Sequence, residues 1–552
     1  MNRIGRKFKI IAAIVLVAAG VGFMTFDDEN FQIAKNLDVY HTLFRELNLY
    51  YVDETDPGEL IKTSIDEMLS SLDPYTVYIP ESKMEDYRFM TTGQYGGIGA
   101  LIRTSGEYVI ISEPYEGFPA HKAGLKAGDK VVEIDGKSVK GKNSENISEL
   151  LKGEPNTEIV LGVERFNTSK PIEIKVVREK IQINSVPYAG MLTDSIGYIR
   201  LSSFTENCSK EVKKAYHDLK KNQNLKALVF DLRGNPGGLL MEAVAVSNLF
   251  LPKGTEIVST KGKVKEWNRT YNATDDALDI DIPIAVLVNS GSASASEIVS
   301  GAIQDLDRGV VMGTRTFGKG LVQTTRDLSY NSKLKLTTAK YYIPSGRCIQ
   351  ALDYSHRNED GSVGRIPDSL VTEFKTKEGR SVFDGGGVNP DIVIEPQTLS
   401  KISISLYTKN LIFDYATLFQ YTNDSIASAE KFIMTEDIYS GFTSFLSDKE
   451  FDYTLDSEKM LNDLEEAIEK DKYTDRITFE IDELRKKLTH DKNMDLKLFQ
   501  PEIEDLLREE IISRYYYQTG RAKAMIDKDP VVDSAIQVLQ NREQYSSILK
   551  LN

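Results

Sequence analysis

The spacing of apolar residues predicts helices in the first part of the chain. In residues 28–92, Phe31, Leu37 and Leu43 belong to a stripe that recurs every three or four positions, and residues 58–72 repeat the pattern. Such a stripe forms one face of an amphipathic helix. Because an apolar face needs a partner, we expect this helical region to pack on a later domain or on a second copy of the chain.

The pattern changes to short strands and glycine turns over residues 93–180. The stretch Tyr95–Ile102 is a glycine-rich turn that leads into an apolar strand, Pro119 opens a short helix, and Asp135-Gly136 forms a turn between strands. Proline suits the first position of a helix, and Asp-Gly is a strong hairpin signal. These signals predict a small β-rich domain.

Strands and helices alternate over residues 181–396, which is the pattern of a mostly parallel sheet. Two apolar runs, Ala227–Leu232 and Pro283–Val288, have the length of buried strands. After Pro396 the chain becomes charged and carries helical stripes. Residues 397–552 are therefore predicted to form a C-terminal helical extension.

The N-terminus has the composition of an export segment. Basic residues at positions 3, 6, 7 and 9 precede an apolar run from Ile10 to Phe26, and this order is typical of a signal sequence or a membrane anchor. No small-x-small cleavage motif follows the run. We therefore favour an uncleaved anchor over residues 1–27, with the body of the protein on the periplasmic or another extracytoplasmic side of a bacterial membrane. A cleaved signal is the alternative.

Charge and composition exclude several functions. The net charge of −15 is not offset by a basic domain, so no nucleic-acid partner is expected. The two cysteines, Cys208 and Cys348, provide no disulfide framework, and the five histidines show no metal-binding spacing. We expect neither a metal nor another cofactor.

A nucleotide site is excluded by the residues around Lys319. The heptad from Gly313 to Lys319 matches the first seven positions of a phosphate-binding loop, but Gly320 stands where a serine or threonine must reach Mg²⁺. The residues that follow, Leu321–Thr325, are typical of a strand rather than of the required helix. The glycine-flanked lysine therefore needs another explanation.

Small residues follow both apolar strands of the predicted sheet. Gly234–Gly238 follows the first strand, and a glycine turn there would point N–H groups at an anion or at a developing oxyanion. Ser290–Ser296 follows the second strand at a strand-to-helix junction, a favoured place for an exposed nucleophile. A serine nucleophile needs a base, and a buried, neutral lysine is one of the few that serve without histidine.

These motifs, in this order, resemble those of the carboxy-terminal processing proteases, also called tail-specific proteases. The resemblance covers roughly residues 30–396. It implies a multidomain α/β fold, with a PDZ domain over 93–180 and a ClpP/crotonase-like protease core over 181–396, between two helical regions. It rests on the PDZ-like turns and on three motifs: Asn235-Pro236-Gly237-Gly238, the Ser-Ala-Ser-Ala-Ser-Glu run that ends at Glu297, and Phe317-Gly318-Lys319-Gly320-x-x-Gln323.

The resemblance also implies catalytic roles. Ser294 would be the nucleophile, Lys319 the general base, and Gln323 the residue that orients the lysine. The competing nucleophiles are the neighbouring serines, Ser290, Ser292 and Ser296.

Binding roles follow from the same resemblance. The PDZ domain would add the C-terminal strand of a substrate to its sheet edge and hold the terminal carboxylate on backbone N–H groups. The expected function is a serine endopeptidase that cleaves exported proteins after recognising their C-terminal tails. The alternative is a membrane-anchored PDZ scaffold that binds such proteins without cleaving them. The residues implied are Gly97, Ile98 and Gly99 for the carboxylate, and Ala295 with Gly237 or Gly238 for the oxyanion.

Overall fold

The computed structural model describes residues 30–550 except 167, 169, 223, 359, 489 and 490. The predicted export segment over residues 1–27 lies outside these residues. Among the described helices, none is both long and apolar enough to cross a membrane. The chain divides into two compact units, residues 1–78 and 79–552.

Two helices, α1 (residues 30–50) and α2 (Pro57–Ser70), form most of the described part of the first unit. Asp56 starts α2, because its carboxylate accepts two hydrogen bonds from N–H groups of the first turn. The helices predicted from the apolar stripes are confirmed. Three residues of the α1 stripe keep 58–63% of their surface exposed: Phe31, Leu37 and Leu43.

The second unit begins with the β-rich domain. Its strands form an antiparallel sheet with the order β3-β4-β5-β7-β8 and β6 paired to β5, so β3 is an edge strand. Strands β2 and β9 pair where the chain enters and leaves the domain. After β1 (Val77–Ile79), the elements are α3 (Met84–Thr92), β2 (Gln94–Gly97), β3 (Ala100–Ser105), β4 (Tyr108–Pro114), α4 (Pro119–Lys122), β5 (Lys130–Ile134), β6 (Lys137–Ser138), α5 (Ser144–Leu151), β7 (Glu158–Glu164), β8 (Ile172–Val177) and β9 (Glu179–Gln182).

The α/β core follows. Its elements are β10 (Tyr188–Met191), β11 (Ile196–Arg200), α6 (Cys208–Asn222), β12 (Ala227–Asp231), α7 (Leu240–Asn248), β13 (Glu256–Gly262), β14 (Arg269–Asn272), β15 (Ile284–Val288), α8 (Ala295–Asp305), β16 (Val310–Gly313), β17 (Leu321–Asp327), β18 (Lys333–Tyr342), β19 (Leu352–Arg357), β20 (Val363–Arg365), β21 (Glu373–Lys375), β22 (Ser381–Phe383) and β23 (Ile392–Val393).

The central sheet of this core has the order β10-β11-β12-β15-β16-β23. All its pairs are parallel except β10 with β11, as the alternation of strands and helices predicts. Strands β12, β15 and β16 are buried throughout, which explains their continuous apolar runs. A second, antiparallel sheet contains β14, β13, β18 and β17.

The chain after Pro396 is mainly helical, as its composition predicts. Helix α15 also reaches the β-rich domain, where the Tyr517 ring lies 5.1 Å from the His121 ring and Arg521 lies 3.3 Å from the Glu113 carboxylate. The helices are α9 (Lys401–Thr408), α10 (Leu411–Thr422), α11 (Glu436–Phe445), α12 (Asp456–Lys470), α13 (Thr474–Leu488), α14 (Lys492–Leu498), α15 (Gln500–Ile526), α16 (Pro530–Gln540) and α17 (Arg542–Leu549).

Helices from two distant parts of the chain cover the central sheet. Helices α6, α7 and α8 pack their apolar residues on one face. The other face is covered by α16 and α17, whose buried residues Val532, Ala535 and Leu549 share a core with the sheet residues Val229 and Leu287. The last two helices therefore complete the core of the α/β sheet.

Candidate active site

The carboxyl ends of β12 and β15 meet at one edge of the central sheet. The two strands are parallel neighbours, with Asp231 opposite Leu287, so the loops that follow them leave the sheet side by side. A hydrogen bond of 2.9 Å from the Gly234 N–H to the side-chain oxygen of Asn289 joins the two loops. Open α/β sheets bind their ligands at this edge.

Ser294 directly precedes helix α8, and its backbone has an uncommon conformation. Its φ and ψ are 56° and −110°, a region that costs a residue other than glycine about 1–3 kcal/mol. Its N–H donates to the Glu297 carboxylate (2.8 Å), and its carbonyl accepts a hydrogen bond from the Tyr341 hydroxyl (3.1 Å). Burial raises the pKa of Tyr341 well above its ordinary value, so this hydroxyl stays protonated and able to donate.

Two nearby serines, Ser292 and Ser296, form hydrogen bonds between the loop after β15 and the loop after β12. The Ser292 hydroxyl donates to the Leu232 carbonyl, and the Ser296 hydroxyl donates to the Asn235 carbonyl, both at 2.8 Å. Both serines are completely buried, whereas Ser294 is partly exposed. Of these three hydroxyls, the one on Ser294 is therefore the one that a substrate can reach.

The two glycines of the turn after β12 are required by close contacts. A Cβ atom at Gly237 would lie 2.9 Å from the Ser294 Cβ, and one at Gly238 would lie 2.4 Å from the Phe204 carbonyl oxygen. Both glycines also have positive φ, 101° and 150°. A side chain at either position would force the backbone to move, so the glycines allow this turn to pack against Ser294.

The backbone donors beside Ser294 differ in their availability. The Gly237 N–H donates to the side-chain oxygen of Asn235 at 2.9 Å. Neither the Gly238 N–H nor the Ala295 N–H donates a hydrogen bond to another described residue. An N–H group without an acceptor, next to a serine hydroxyl that a substrate can reach, is the kind of donor that can bind an oxyanion.

A buried ion pair fixes the start of the glycine turn. The Asp231 carboxylate accepts a hydrogen bond from the Tyr198 hydroxyl (2.7 Å) and pairs with the Arg233 guanidinium (2.6 Å). Burial opposes ionisation, but the charge and hydrogen bonds of Arg233 outweigh it and hold the pKa of Asp231 below its ordinary value. Sequence analysis gave this pair no role. The signal was a carboxylate at the end of an otherwise apolar strand, since a buried charge requires a partner.

Lys319 lies in a tight loop between β16 and β17, and it is partly buried. A Cβ atom at Gly318 would lie 2.4 Å from the Cβ of Ala351, and one at Gly320 would lie 2.8 Å from the Gln350 nitrogen. The glycines on both sides of Lys319 therefore allow residues 350 and 351 to approach this loop closely.

One buried carboxylate joins the serine loop to the lysine loop. Glu297 accepts hydrogen bonds through Oε2 from the N–H groups of Ser294 (2.8 Å) and Lys319 (2.9 Å). Its Oε1 accepts from the Thr316 hydroxyl (2.6 Å) and the Gly318 N–H (2.7 Å). Burial raises the pKa of Glu297, and the four donors oppose that rise because each favours the carboxylate. This carboxylate fixes the Ser294 backbone relative to the Lys319 backbone.

Sequence analysis named Glu297 as part of a motif but missed this role. The spacing Ser294-x-x-Glu297 is that of a capping box, which could have predicted the contact with the Ser294 N–H. The other three donors are 19 to 22 residues away in the sequence, and no local pattern connects them to Glu297.

Gln323 lies on β17 directly after a β-bulge, opposite Thr337 of β18. Its side-chain amide donates to the Thr337 hydroxyl at 3.1 Å, which limits the orientations that the side chain can adopt. Gln323, four residues after Lys319, therefore lies on a strand whose backbone is held by pairing with β18.

Residues of the kinds that acyl transfer uses lie at this edge of the sheet. They are a serine with an accessible hydroxyl, backbone N–H groups, and a lysine whose backbone is held beside that serine by Glu297. Among the described residues, no group of three or more His, Cys, Asp and Glu side chains is arranged to hold a metal ion.

The candidate carboxylate-binding loop, residues 97–99, directly precedes the edge strand β3. All three residues are buried. The Ile98 carbonyl accepts a hydrogen bond from the Ala120 N–H (2.7 Å), and the Gly99 carbonyl accepts one from the Tyr115 N–H (3.0 Å). The loop is therefore anchored directly beside β3, an edge strand of the sheet.

Comparison with known proteins identifies three regions of the chain. The profile of peptidase family S41 matches residues 195–355, a PDZ domain profile matches residues 110–165, and the profile of the probable PDZ-protease C-terminal helical domain matches residues 402–539. A carboxy-terminal-processing protease of Bartonella bacilliformis is 39% identical over 365 residues, which cover 66% of this chain and 80% of the relative. This chain belongs to the carboxy-terminal-processing protease family.

Other proteases are similar over shorter stretches or at lower identity. A probable CtpA-like serine protease of Staphylococcus aureus is 39% identical over 317 residues, which cover 57% of this chain and 62% of the relative. The solved structure of a photosystem II D1 C-terminal processing protease is 29% identical, covers 65% of this chain and 87% of that chain, and has a TM-score of 0.35.

Membership of the carboxy-terminal-processing proteases confirms the predicted fold class, a PDZ domain and an α/β protease domain with a helical C-terminal region. It also confirms that the chain is a serine-type peptidase. The catalytic and binding roles of individual residues are a separate question.

Proposed function

We propose that this carboxy-terminal-processing protease cleaves proteins with a Ser294–Lys319 dyad after its PDZ domain has bound the C-terminal tail of the substrate. The observation that carries the dyad is the Glu297 carboxylate, which accepts one N–H hydrogen bond from Ser294 and one from Lys319. A base must be held close to its nucleophile. A carboxylate shared by both backbones provides that constraint.

In the proposed mechanism, the neutral amine of Lys319 takes the proton of the Ser294 hydroxyl as Oγ attacks the scissile carbonyl carbon. Lys319 then gives this proton to the leaving amine, and the substrate's acyl group stays bound to Ser294 as an ester. Water, deprotonated by the same amine, hydrolyses the ester and restores the Ser294 hydroxyl.

The oxyanion that forms during attack needs two donors. We assign them to the Ala295 N–H and to the glycine turn, because the turn packs against Ser294. Within the turn, Gly238 is favoured over Gly237, whose N–H already donates to Asn235. Loss of one such donor typically costs about 100- to 1000-fold in kcat.

Gln323 is proposed to orient the Lys319 amine, and Gln323→Ala should lower kcat. A misplaced base costs on the order of 100-fold when the reacting atoms move by about 1 Å. The measurement is kcat for a tail-bearing reporter, with Thr324→Ala as the matched control. Thr324 also makes one cross-strand side-chain hydrogen bond, to Thr338 at 2.9 Å, and it is exposed. An equal loss of kcat in both variants would show that Gln323 does not orient Lys319.

The proposed substrates are exported proteins with an accessible C-terminus. An extended tail would pair with the edge strand β3, and its terminal carboxylate would lie on the N–H groups of the loop formed by Gly97, Ile98 and Gly99. The basic and apolar composition of residues 1–27 supports a location on the extracytoplasmic side of a membrane.

The proposed function is tested with two reporters that differ only in their last atom group, a C-terminal carboxylate or a carboxamide. We expect kcat/KM to fall at least about tenfold for the carboxamide, because it removes the charge that the PDZ loop would bind. Ser294→Ala should cleave neither reporter. A fluorophosphonate probe should label the parent protein and not Ser294→Ala. Absence of both cleavage and labelling in the parent would favour the non-catalytic scaffold.

Two alanine substitutions separate tail recognition from catalysis. Gly99 and Gly117 both have positive φ, but a Cβ atom at Gly99 would lie 2.6 Å from the Cβ of Phe118, whereas one at Gly117 would meet nothing within 4 Å. Gly99→Ala should therefore raise KM for the carboxylate reporter, and Gly117→Ala should not. Equal KM values for the two variants would contradict the assignment of the loop.

A further inference from the structure

An ion pair joins the C-terminal helical region to Arg233, the residue directly before the glycine turn. Asp529 Oδ2 lies 2.6 Å from Arg233 Nη1, and the two side chains are only 16% and 19% exposed. The same guanidinium binds Asp231 through Nε and Nη2. Arg233 therefore bridges two carboxylates, one from the central sheet and one from the segment that precedes helix α16.

The position of Asp529 is fixed by its own helix. Asp529 is the residue before α16, and its Oδ1 accepts hydrogen bonds from the N–H groups of Val531 (2.9 Å) and Val532 (3.3 Å). Helix α16 in turn packs Val532 and Ala535 into the core shared with the central sheet. The carboxylate that Arg233 binds is thus held by a buried helix rather than by a surface segment.

We propose that Asp529 is a positioning residue for catalysis: it holds Arg233, and through Arg233 it holds the glycine turn beside Ser294. The inference rests on the proposed function, which assigns an oxyanion donor to that turn. It connects the C-terminal helical region to the active site through Arg233.

Hydrogen bonds hold the middle of the turn at Asn235, whose carbonyl accepts from the Ser296 hydroxyl and whose side chain donates to the Leu201 carbonyl. Gly234, Gly237 and Gly238 have no side chains, and all three have positive φ, so the direction of their N–H groups also depends on how the ends of the turn are held. Arg233 is one of these ends. Without Asp529, the Arg233 guanidinium is held by Asp231 along one side only. The N–H groups of the turn could then shift, and an oxyanion donor loses most of its effect when it moves by a fraction of an ångström.

The test is Asp529→Ser in the full chain, measured with the carboxylate reporter. Serine keeps the hydrogen-bond acceptor that starts helix α16 but has no second oxygen for Arg233. We expect kcat to fall about tenfold with KM unchanged and the melting temperature to stay close to that of the parent. Asp533→Asn is the matched control, because it removes the same charge from an exposed position of the same helix and should leave kcat unchanged.

A double-mutant cycle separates positioning from general stabilisation. If Asp529 acts through Arg233, Asp529→Ser should add little to the loss caused by Arg233→Met. A parental kcat in Asp529→Ser, an equal loss in Asp533→Asn, or independent effects in the cycle would each overturn the inference while the parent still cleaves. Absence of cleavage by the parent would overturn the proposed function and this inference with it.

Discussion

Lys319→Ala should abolish cleavage of a tail-bearing reporter while the variant still binds the tail. Without the amine nothing accepts the Ser294 proton, and a hydroxyl is a poor nucleophile until that proton leaves. The expected loss in kcat is on the order of 10⁶-fold, the size seen when a member of a serine protease catalytic unit is removed. The measurements are kcat for the reporter and the affinity for a fluorescent tail peptide, which reports the PDZ domain alone.

Three further variants define what the lysine does. Lys319→Met keeps most of the volume of the side chain and should be as inactive as Lys319→Ala. Lys319→Arg should also be inactive, because a guanidinium stays charged near neutral pH and cannot accept the serine proton. Ser294→Ala should show a loss of the same size, and the double variant should lose no more, because the two residues act as a unit. Turnover by any single variant at more than about one-hundredth of the parental kcat would reject the dyad.

Glu297→Gln should lower both activity and stability, although the two side chains have nearly the same shape. All four neighbours of the carboxylate are donors, from Ser294, Thr316, Gly318 and Lys319. A glutamine amide has one acceptor oxygen, so its NH₂ group must face two of these donors, of which only the Thr316 hydroxyl can rotate to accept from it. Each buried donor left without an acceptor costs about 1–3 kcal/mol, and the two loops can then shift apart.

The expected result for Glu297→Gln is a kcat at least about 100-fold below that of the parent, because a displacement near 1 Å has this effect on a reaction between positioned groups. The free energy of unfolding should fall by about 1–6 kcal/mol, for one or two buried donors left without an acceptor. Ser300→Ala is the control, since Ser300 is buried in the same helix and its hydroxyl has no hydrogen-bond partner among the described residues. Parental kcat in Glu297→Gln would show that the carboxylate does not position the dyad.

The sequence predicted the elements around the site well, because the relevant signals are local. Apolar runs located β12 and β15, and the small residues after them located the two loops. The strand-like residues Leu321–Thr325 after Lys319 located β17. Periodicity and turn chemistry act over a few residues, so they can be read from a single chain.

The contacts that hold the site together could not be predicted, because they join distant segments. Thr316, Gly318 and Lys319 all bind Glu297 from another loop, and Asp529 reaches Arg233 across nearly 300 positions of the chain. A carboxylate in an otherwise apolar stretch shows that a partner must exist. Its identity depends on the tertiary fold, which no local pattern specifies.

The position of α16 and α17 on the central sheet has a consequence for synthesis of the protein. The strands up to β16 end at Gly313, but the residues that cover their second face, such as Val532 and Leu549, come at the end of the chain. At roughly 5–20 residues per second, a ribosome needs on the order of 10–50 s to make the intervening segment. During that interval Val229 and Leu287 are not yet buried by the apolar residues of α16 and α17. The core of the central sheet therefore cannot be completed before α17 has been made, and a chain that stops before α16 exposes an apolar sheet to aggregation and to other proteases.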